Sequence, residues 1–272
     1  MGPIEGRPGL SSIMTADIPA GLALVSEAGW NQTAADWRFM LAAGRGRGLR
    51  DDSGRLIASS IVLPYRPGVG WVGMVLVGAA YRKRGHATRL IEDAVAYCRT
   101  AGLVPMLDAT PPGREVYRRL GFADGETIER WRGQGGGGTV AAGVTDVERA
   151  IELDRAAFGA DRSALIVDLA QRAGAPFLSL AGGTLPGRRG RTATQLGPLL
   201  ASERATALTL CERAIDAAHG PVLLDIPARE TALRQLLESR GFALERSFTR
   251  MSLGAPVALG ETMRAIAGPE LG

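Results

Sequence analysis

Apolar runs and amphipathic stretches alternate along the chain, and they do so twice in the same order. In the first half, a strand, a helix, a strand, a helix and a strand are predicted at residues 71–77, 87–100, 104–109, 113–120 and 127–131. In the second half the same order is predicted at residues 195–200, 203–218, 222–226, 230–239 and 247–253. The repetition predicts two copies of one domain plan.

Matching landmark residues support this repeat. Gly121 and Gly241 each follow the second helix of a half, where a left-handed glycine commonly ends a helix. Asp108 and Asp225 each end the middle strand, just before a turn that contains proline.

Two short helical segments precede this core in each half. They are predicted at residues 18–28, 34–42, 147–157 and 164–173. In the first half a hairpin follows, with turn residues at 51–54 and a second turn at 66–68. Antiparallel strands followed by strand–helix–strand–helix predict an α+β (mixed α/β) fold, with two tandem domains that are each a mostly antiparallel twisted sheet flanked by helices.

A glycine-rich segment separates the halves. Five of the six residues at 133–138 are glycine, which is unfavourable in a helix or in the interior of a strand. We therefore predict a flexible connector at 134–139, between a first domain at 1–133 and a second at 140–272.

Composition fits two ordinary globular domains. The 272 residues are 46% hydrophobic and 22% charged, and each half is long enough to bury a core. The two cysteines, Cys98 and Cys211, are far apart and outside any Cys/His cluster, which argues against a disulfide scaffold and a zinc site. The apolar run at 72–80 is too short to cross a bilayer, and the first residues lack a hydrophobic targeting region, so we expect a cytoplasmic protein.

The positive charge comes from dispersed arginines. The formal net charge is +4 with a pI near 9.6, and Lys83 is the only lysine. Nucleic-acid-binding proteins usually cluster basic residues among aromatics, whereas aromatics make up 5% of this chain. We therefore expect neither a nucleic-acid nor a membrane partner, and short arginine groups suit a phosphate-bearing small ligand better than a polymer.

The segment at 75–91 carries the most specific chemistry. A Val-rich strand ends, a basic turn follows, and a helix begins near Ala87. The free amides and the positive dipole end of such a helix form an anion site, and Gly85 permits close approach to the backbone. A plain surface turn would have the same local pattern, and neither a phosphate-binding Gly-Lys-Ser/Thr motif nor a dinucleotide-binding glycine spacing is present.

Two motifs together resemble one enzyme family. The pattern Arg-x-x-Gly-x-Ala at 82–87 resembles the acyl-CoA signature of the GNAT superfamily of N-acetyltransferases. The pattern Tyr-x-x-Leu-Gly-Phe at 117–122 is similar to that family's second signature, and the match covers roughly residues 10–132. The resemblance implies a GNAT-like domain in each half, with acetyl-CoA as co-substrate and no metal.

The resemblance also implies which residues hold the cofactor. The strand residues Val75, Leu76 and Val77 would pair with the pantetheine arm, and a backbone N–H there would polarise the thioester carbonyl. The pyrophosphate would be bound by the loop residues Arg82, Lys83, Arg84, Gly85, His86, Ala87 and Thr88. Thr110 stands where the family often has asparagine, and Arg114 could reach the same cofactor.

The resemblance implies the catalytic residues less completely than the cofactor-binding residues. Tyr117 matches the tyrosine that protonates the departing CoA thiolate, although a packing tyrosine would show the same helical position. Residues 71–77 lack the glutamate with which many relatives deprotonate the substrate ammonium. Asp108, His86 or a water chain are the alternatives, and Asp108 equally suits a turn acceptor before the next helix.

The second half keeps the plan but lacks the cofactor motif. Ser202 and Glu203 lead straight into a helix, where Glu203 would repel a phosphate, and Leu237 stands at the tyrosine position. We predict a degenerate acetyltransferase-like domain that shapes the substrate pocket or holds the halves together. Arg188, with Arg189 and Arg191, would either bind an acidic group or form a solvated turn.

The resemblance implies an N-acetyltransferase that moves the acetyl group directly to a primary amine. Cys98 lies mid-helix and is a poor candidate for a nucleophile that would carry the acetyl group. Trp30, Gln32, Asp225 and Arg250 are the candidate substrate contacts. We expect a small-molecule amine as partner and a monomer or homodimer. The alternatives are a peptide or protein acceptor and a non-catalytic acyl-CoA sensor.

Overall fold

The computed structural model describes residues 9–138, 146–255 and 259–272. The helices in these ranges are α1 (Ile18–Glu27), α2 (Ala34–Ala43), α3 (His86–Thr100), α4 (Pro111–Arg119), α5 (Val147–Phe158), α6 (Ser163–Gln171), α7 (Arg204–Ala217) and α8 (Thr231–Ser239). The strands are β1 (Ser11–Ser12), β2 (Arg45–Arg50), β3 (Leu56–Tyr65), β4 (Val69–Val77), β5 (Val104–Ala109), β6 (Ala123–Gln134), β7 (Phe177–Leu180), β8 (Gly183–Arg189), β9 (Thr194–Leu196), β10 (Leu199–Ala201), β11 (Pro221–Pro227), β12 (Ala243–Ser252) and β13 (Met263–Ala265). The predicted α+β class is confirmed.

The described strands form one continuous sheet instead of two separate sheets. Their order is β1-β2-β3-β4-β5-β12-β6-β11-β9-β8-β10-β13, and β7 pairs with β8 beside this path. In the centre, β12 lies between β5 and β6, and β6 lies between β12 and β11. The last strand of each half therefore pairs with a strand of the other half.

Helix α3 is held on this sheet by one apolar face. Leu90, Ile91, Ala94 and Cys98 are buried, at the spacing of one side of a helix. Gly85 precedes the helix in the left-handed region with φ of 78°, a conformation that costs glycine little. The positive end of α3 is thereby fixed at the end of β4.

Strands β4 and β5 are neighbours over a short stretch and then separate. Residues 69–71 pair in parallel with residues 104–106. Beyond them, the register of β4 against β3 shifts, and Met74 takes a φ of 53°. This bulge, together with the pairing of β5 to β12, opens a gap between the ends of β4 and β5.

The second half repeats this separation, but its own chain fills the gap. β9 pairs in parallel with β11, and the strand then breaks at Gly197 and Pro198 before β10, so the single strand predicted at 195–200 is two strands. β10 pairs with β13, and the amide of Ile266 donates to the carbonyl oxygen of Asp225 at 2.9 Å. β13 therefore occupies the space between β10 and β11 that corresponds to the open gap of the first half.

The glycine-rich segment is held in place as far as Gly138, in contrast to the predicted flexible connector. β6 continues to Gln134, and the amides of Gly136 and Gly138 donate to the last carbonyls of α7 at 2.9 and 2.8 Å. A Cβ at Gly135 would overlap the carbonyl oxygen of Ala218. Glycine is required here because two backbones meet closely. The rest of the predicted connector, Thr139, and the start of the second domain lie in 139–145, outside the described residues.

The described part of the chain also bears on membrane and metal binding. No helix within it is long and apolar enough to span a membrane. No group of three or more His, Cys, Asp and Glu side chains in the same ranges is placed to hold a metal ion. Cys98 and Cys211 are buried free thiols.

Candidate active site

A cleft lies in the gap between β4 and β5. Six residues singled out from the sequence line it: Trp30, Gln32, Val75, Asp108, Thr110 and Tyr117. The second half contributes four more residues, Arg246, Phe248, Pro269 and Glu270. Both halves therefore build this site.

The bulge of β4 forms one wall of the cleft. Gly73, Met74 and Val75 line it, and the hydroxyl of Ser59 on β3 donates to the carbonyl oxygen of Met74 at 2.8 Å. A bulge interrupts the regular ladder and leaves backbone groups of the strand available to another partner. Such groups suit an extended ligand arm, and a backbone N–H there can stabilise a developing oxyanion.

The loop before α3 lies at the end of β4. It contains a 3₁₀ turn (Ala79–Tyr81) and ends at Gly85, beside which a Cβ would meet no atom within 4 Å. Arg82 donates to the carbonyl oxygen of Val77 at 3.1 Å, and Arg84 donates to that of Ala80 at 3.0 Å. These two arginines brace the loop while the backbone at Gly85 stays open to a ligand.

His86, the first residue of α3, carries a buried polar atom without a partner. Its Nδ1 makes no hydrogen bond to any part of the chain that the structure describes. Burial lowers the pKa of His86, and the nearby charges of Arg89 and Arg84 lower it further. The ring therefore stays neutral near pH 7, which leaves Nδ1 able to accept from, or donate to, a ligand in the loop.

Tyr117 reaches the cleft from α4. Its ring packs against Phe122 with centroids 5.9 Å apart, and its hydroxyl is not hydrogen-bonded within the described ranges. Burial raises the pKa of Tyr117 to about 12. The phenol is therefore protonated throughout the neutral range and can act as a hydrogen-bond donor in the cleft.

Asp108 lies in the cleft wall as one half of an ion pair. Its two carboxylate oxygens each accept from Arg250 on β12 at 2.8 Å, and the Asp108 side chain has no exposed surface. Burial raises the pKa of Asp108, against the lowering effect of Arg250. Protonation of Asp108 would leave the buried Arg250 guanidinium without a carboxylate partner, which disfavours proton transfer from a substrate to Asp108.

Two of the four predicted substrate contacts lie behind the cleft surface. Arg250 and Asp225 are buried and do not line the cleft, whereas Trp30 and Gln32 do. Asp225 accepts from Arg130 at 2.8 Å through each of its oxygens, and from Gln195 at 3.0 Å. Because Asp225 pairs with Arg130 and Arg250 pairs with Asp108, both residues support the wall of the cleft from behind.

Arg114 is engaged away from the loop. It donates to Asp124, which Arg118 also contacts, and these hydrogen bonds lower the pKa of the Asp124 carboxyl. A cofactor would therefore compete with Asp124 for Arg114, and its predicted role in binding stays a prediction.

The expectation of a solvated arginine turn at 188–191 is wrong for Arg188. This side chain is fully buried, lies 3.0 Å from Asp36 of α2 and also pairs with Glu270. Sequence patterns had no means of finding Arg130 and Glu270 in the cleft, because both reach it through strand exchange or through the last residues of the chain.

Comparison with known proteins places this geometry in a family. Residues 23–122 match the model of the acetyltransferase (GNAT) family, and residues 150–264 match that of an acetyltransferase (GNAT) domain. The uncharacterized N-acetyltransferase YitH of Bacillus subtilis is 26% identical over 235 residues, which cover 81% of this chain and 83% of YitH.

Solved structures share the whole architecture. A "putative acetyltransferase" from Pyrococcus horikoshii is similar with a TM-score of 0.83 at 19% identity, over 100% of this chain and 98% of that one. A tandem GNAT protein from the clavulanic acid biosynthesis pathway is similar with a TM-score of 0.61 at 14% identity, over 92% of this chain and 99% of that one. At identities of 19% and 14%, these structures show a shared fold, and membership of the family rests on the two family models. The chain belongs to the GNAT superfamily and is an N-acetyltransferase with two acetyltransferase domains in tandem.

Proposed function

We propose that the chain transfers an acetyl group from acetyl-CoA to the primary amine of a small molecule, in the cleft between β4 and β5. The observation that carries this proposal is the convergence of the β4 bulge at Met74 and the Tyr117 side chain on one cleft that the second half closes. We assign residues 1–133 as the domain that binds acetyl-CoA and 140–272 as the domain that completes the substrate pocket.

The residues of the first half fit acetyl-CoA. The open backbone at Gly85, the first amides of α3 and the partnerless Nδ1 of His86 suit the pyrophosphate. Val75, Leu76 and Val77 offer the edge along which the pantetheine arm would lie, with Thr110 across the cleft. When bound, acetyl-CoA supplies an activated thioester.

The chain's own groups then direct the transfer. A backbone N–H at the β4 bulge stabilises the oxyanion that forms on the carbonyl carbon. Tyr117, protonated because burial raises its pKa to about 12, donates a hydrogen bond to the departing sulfur. The amine attacks directly, since the buried Cys98, with a pKa raised to about 11 by burial, is unsuited to carry an acyl group.

The second half, in this proposal, binds no acetyl-CoA. β13 already pairs with β10 where the pantetheine arm would have to lie, and Glu203 precedes α7 where a pyrophosphate would need a positive environment. One site per chain follows.

A small acceptor is favoured over a peptide by the shape of the cleft. Phe248, Pro269 and Glu270 from the second half close one side of it. An extended peptide would instead need an open groove.

We place the reaction in the cytoplasm, where the buried free thiols Cys98 and Cys211 would stay reduced.

Calorimetric titration with acetyl-CoA tests the site. We expect one site per chain, with a dissociation constant of about micromolar order, and loss of binding in Gly85→Glu. Gly220→Glu is the matched control, because Gly220 also has a positive φ of 69° and open space around it. Two sites per chain would contradict the assignment of the second half, and no binding would contradict the proposal.

Turnover separates the enzyme from its alternatives. Wild type and Tyr117→Phe are incubated with acetyl-CoA and a panel of polyamines, amino sugars, amino acids and a peptide, and products are identified by mass spectrometry. Acetylated small amines with a large loss in Tyr117→Phe support the proposal. Acetylation of the peptide alone supports the protein acceptor, and binding without turnover supports the sensor.

A further inference from the structure

The last described residues of the chain are fixed against β4 at the cleft. Trp71 Nε1 donates to the carbonyl oxygen of Pro269 at 3.0 Å, and the Tyr65 hydroxyl donates to that of Leu271 at 2.9 Å. A Cβ at Gly73 would lie 2.9 Å from the carbonyl oxygen of Glu270. Glycine in β4 therefore leaves room for Glu270, on the strand that lacks a glutamate of its own.

Glu270 belongs to a cluster of paired charges that runs from the cleft to the partly exposed Asp168. It pairs with Arg188, which pairs with Asp36, which pairs with Arg172, which pairs with Asp168. Three carboxylates thus face two guanidinium groups, and the third carboxylate, Asp168, is 29% exposed at the far end of the cluster. Of this cluster, Glu270 lines the cleft.

The other buried carboxylates near the cleft are balanced. Asp108 is matched by Arg250, and Asp225 by Arg130, each through two hydrogen bonds of 2.8 Å. Glu270 differs from both because its partner Arg188 also pairs with Asp36, so Arg188 keeps a carboxylate partner when Glu270 takes up a proton.

A second acceptor in the same cleft has no partner. Gln32 is 4% exposed, and its Oε1 is buried without a hydrogen bond from the residues that the structure describes. An unsatisfied buried acceptor costs about 1–3 kcal/mol, so a ligand that supplies a donor is favoured there. An ammonium group has three donors and needs several acceptors.

We propose that Glu270 binds the ammonium group of the substrate and accepts its proton, with Gln32 Oε1 as a second acceptor. This inference rests on the proposed function. The proton moves from nitrogen to the Glu270 carboxylate, and the freed electron pair forms the C–N bond at the thioester carbon. As the C–S bond breaks, Tyr117 protonates the thiolate and is reprotonated by the second proton that the nitrogen loses, and Glu270 returns the first proton to solvent.

Glu270→Gln tests this step in the full-length chain. Acetyl-CoA binding should be unchanged, while kcat/KM at pH 7 for the best amine of the panel should fall about 100-fold or more. Because the variant depends on amine that is already neutral, its kcat/KM should rise about tenfold per pH unit up to an amine pKa near 10. The wild type should show a much flatter profile over the same range.

Glu230→Gln is the matched control. Glu230 is also a buried glutamate of the second half, paired with Arg264 at 3.1 Å, and it does not line the cleft. Its kcat/KM and pH profile should match those of the wild type. Should Glu270→Gln fail to fold, Glu270→Asp keeps the carboxylate but moves it back by one methylene, so kcat/KM should fall while the pH profile keeps the wild-type shape. An unchanged kcat/KM overturns the proposal.

The failures are distinguishable. No acetyl-CoA binding by the wild type refutes the proposed function itself. An active wild type with an unchanged rate and pH profile in Glu270→Gln overturns the role of Glu270 alone, as does loss of acetyl-CoA binding in that variant. If acetyl-CoA binds and no amine of the panel reacts, benzylamine titrated into the acetyl-CoA complex is decisive, because equal affinity or no binding in wild type and Glu270→Gln overturns the ammonium site.

Discussion

Arg250 on β12 and Asp108 on β5 face each other directly in the strand register and share two hydrogen bonds of 2.8 Å. Arg130 on β6 and Asp225 on β11 repeat the same relationship. Each exchanged strand thus brings an arginine to the aspartate that ends the middle strand of the other half. A buried carboxylate needs such a partner, so the two halves depend on each other for charge balance.

The first prediction concerns this pair. Arg250→Met should lower the free energy of unfolding by about 3–5 kcal/mol at pH 7, because Asp108 is left as a buried charge without a partner. The deficit should shrink in acid, since burial already raises the pKa of Asp108 and protonation removes the uncompensated charge. Urea unfolding at neutral and acidic pH measures both effects.

The double variant Asp108→Leu/Arg250→Met is the control. Replacing both partners removes the buried charge altogether, so its stability should exceed that of Arg250→Met alone. Equal losses in the single and double variants would show that packing of Arg250 over Trp71, at 4.6 Å from the ring centroid, is what matters.

The second prediction follows from the raised pKa of Tyr117. A phenol with a pKa of about 12 stays protonated well above neutrality, so kcat should show no decline from loss of this proton up to about pH 10. Tyr117→Phe should lower kcat about 100-fold across this range and leave acetyl-CoA binding intact. Tyr97→Phe is the control, because the Tyr97 ring packs against the Arg45 guanidinium and lies outside the cleft. A wild-type decline with a midpoint near 10 that Tyr117→Phe lacks would contradict the prediction.

Local patterns predicted most of the elements because local physics determines them. The strand at 104–109 has the predicted bounds, and α3 begins one residue before the prediction, since glycine in the left-handed region sets its start. The exchange of β6 and β12 was not predictable, because strand partners depend on contacts across the whole chain. The short strands β7, β8 and β13 were missed for the same reason, as each depends on its partners.

The candidate site shows the same division. Val75, Thr110 and Tyr117 were singled out from local sequence patterns, and they line the cleft, while their roles stay predictions. Glu270 carries no motif and reaches the cleft only through the path of the tail after β13. Asp225 was singled out for its polarity, but Arg130 of the first half pairs with both of its carboxylate oxygens and lines the cleft in its place.

The third prediction concerns acid stability through Asp36. Burial raises the pKa of this carboxyl, but Arg188, Arg172 and the Thr33 amide together hold it below its usual value. A lowered pKa contributes stability that is present above about pH 4 and is lost as the pH falls further. Asp36→Asn should therefore be destabilised by about 3 kcal/mol at pH 7, and less so near pH 3, in urea unfolding. A deficit that is independent of pH would contradict this explanation.

The last prediction tests the close contact between β13 and the strand break. Gly197 has a φ of 148°, and a Cβ there would overlap the carbonyl oxygen of Ile266, which follows β13. Gly197→Ala should therefore lower the free energy of unfolding by about 3 kcal/mol, from backbone strain and displacement of the tail. Gly220 has a positive φ of 69° and open space around it, so Gly220→Ala should lose about 1 kcal/mol from backbone strain alone. Because the same tail carries Glu270, Gly197→Ala should also lose turnover more than acetyl-CoA affinity. Equal stability of the two variants in urea would show that the tail can leave the space between β10 and β11 at little cost.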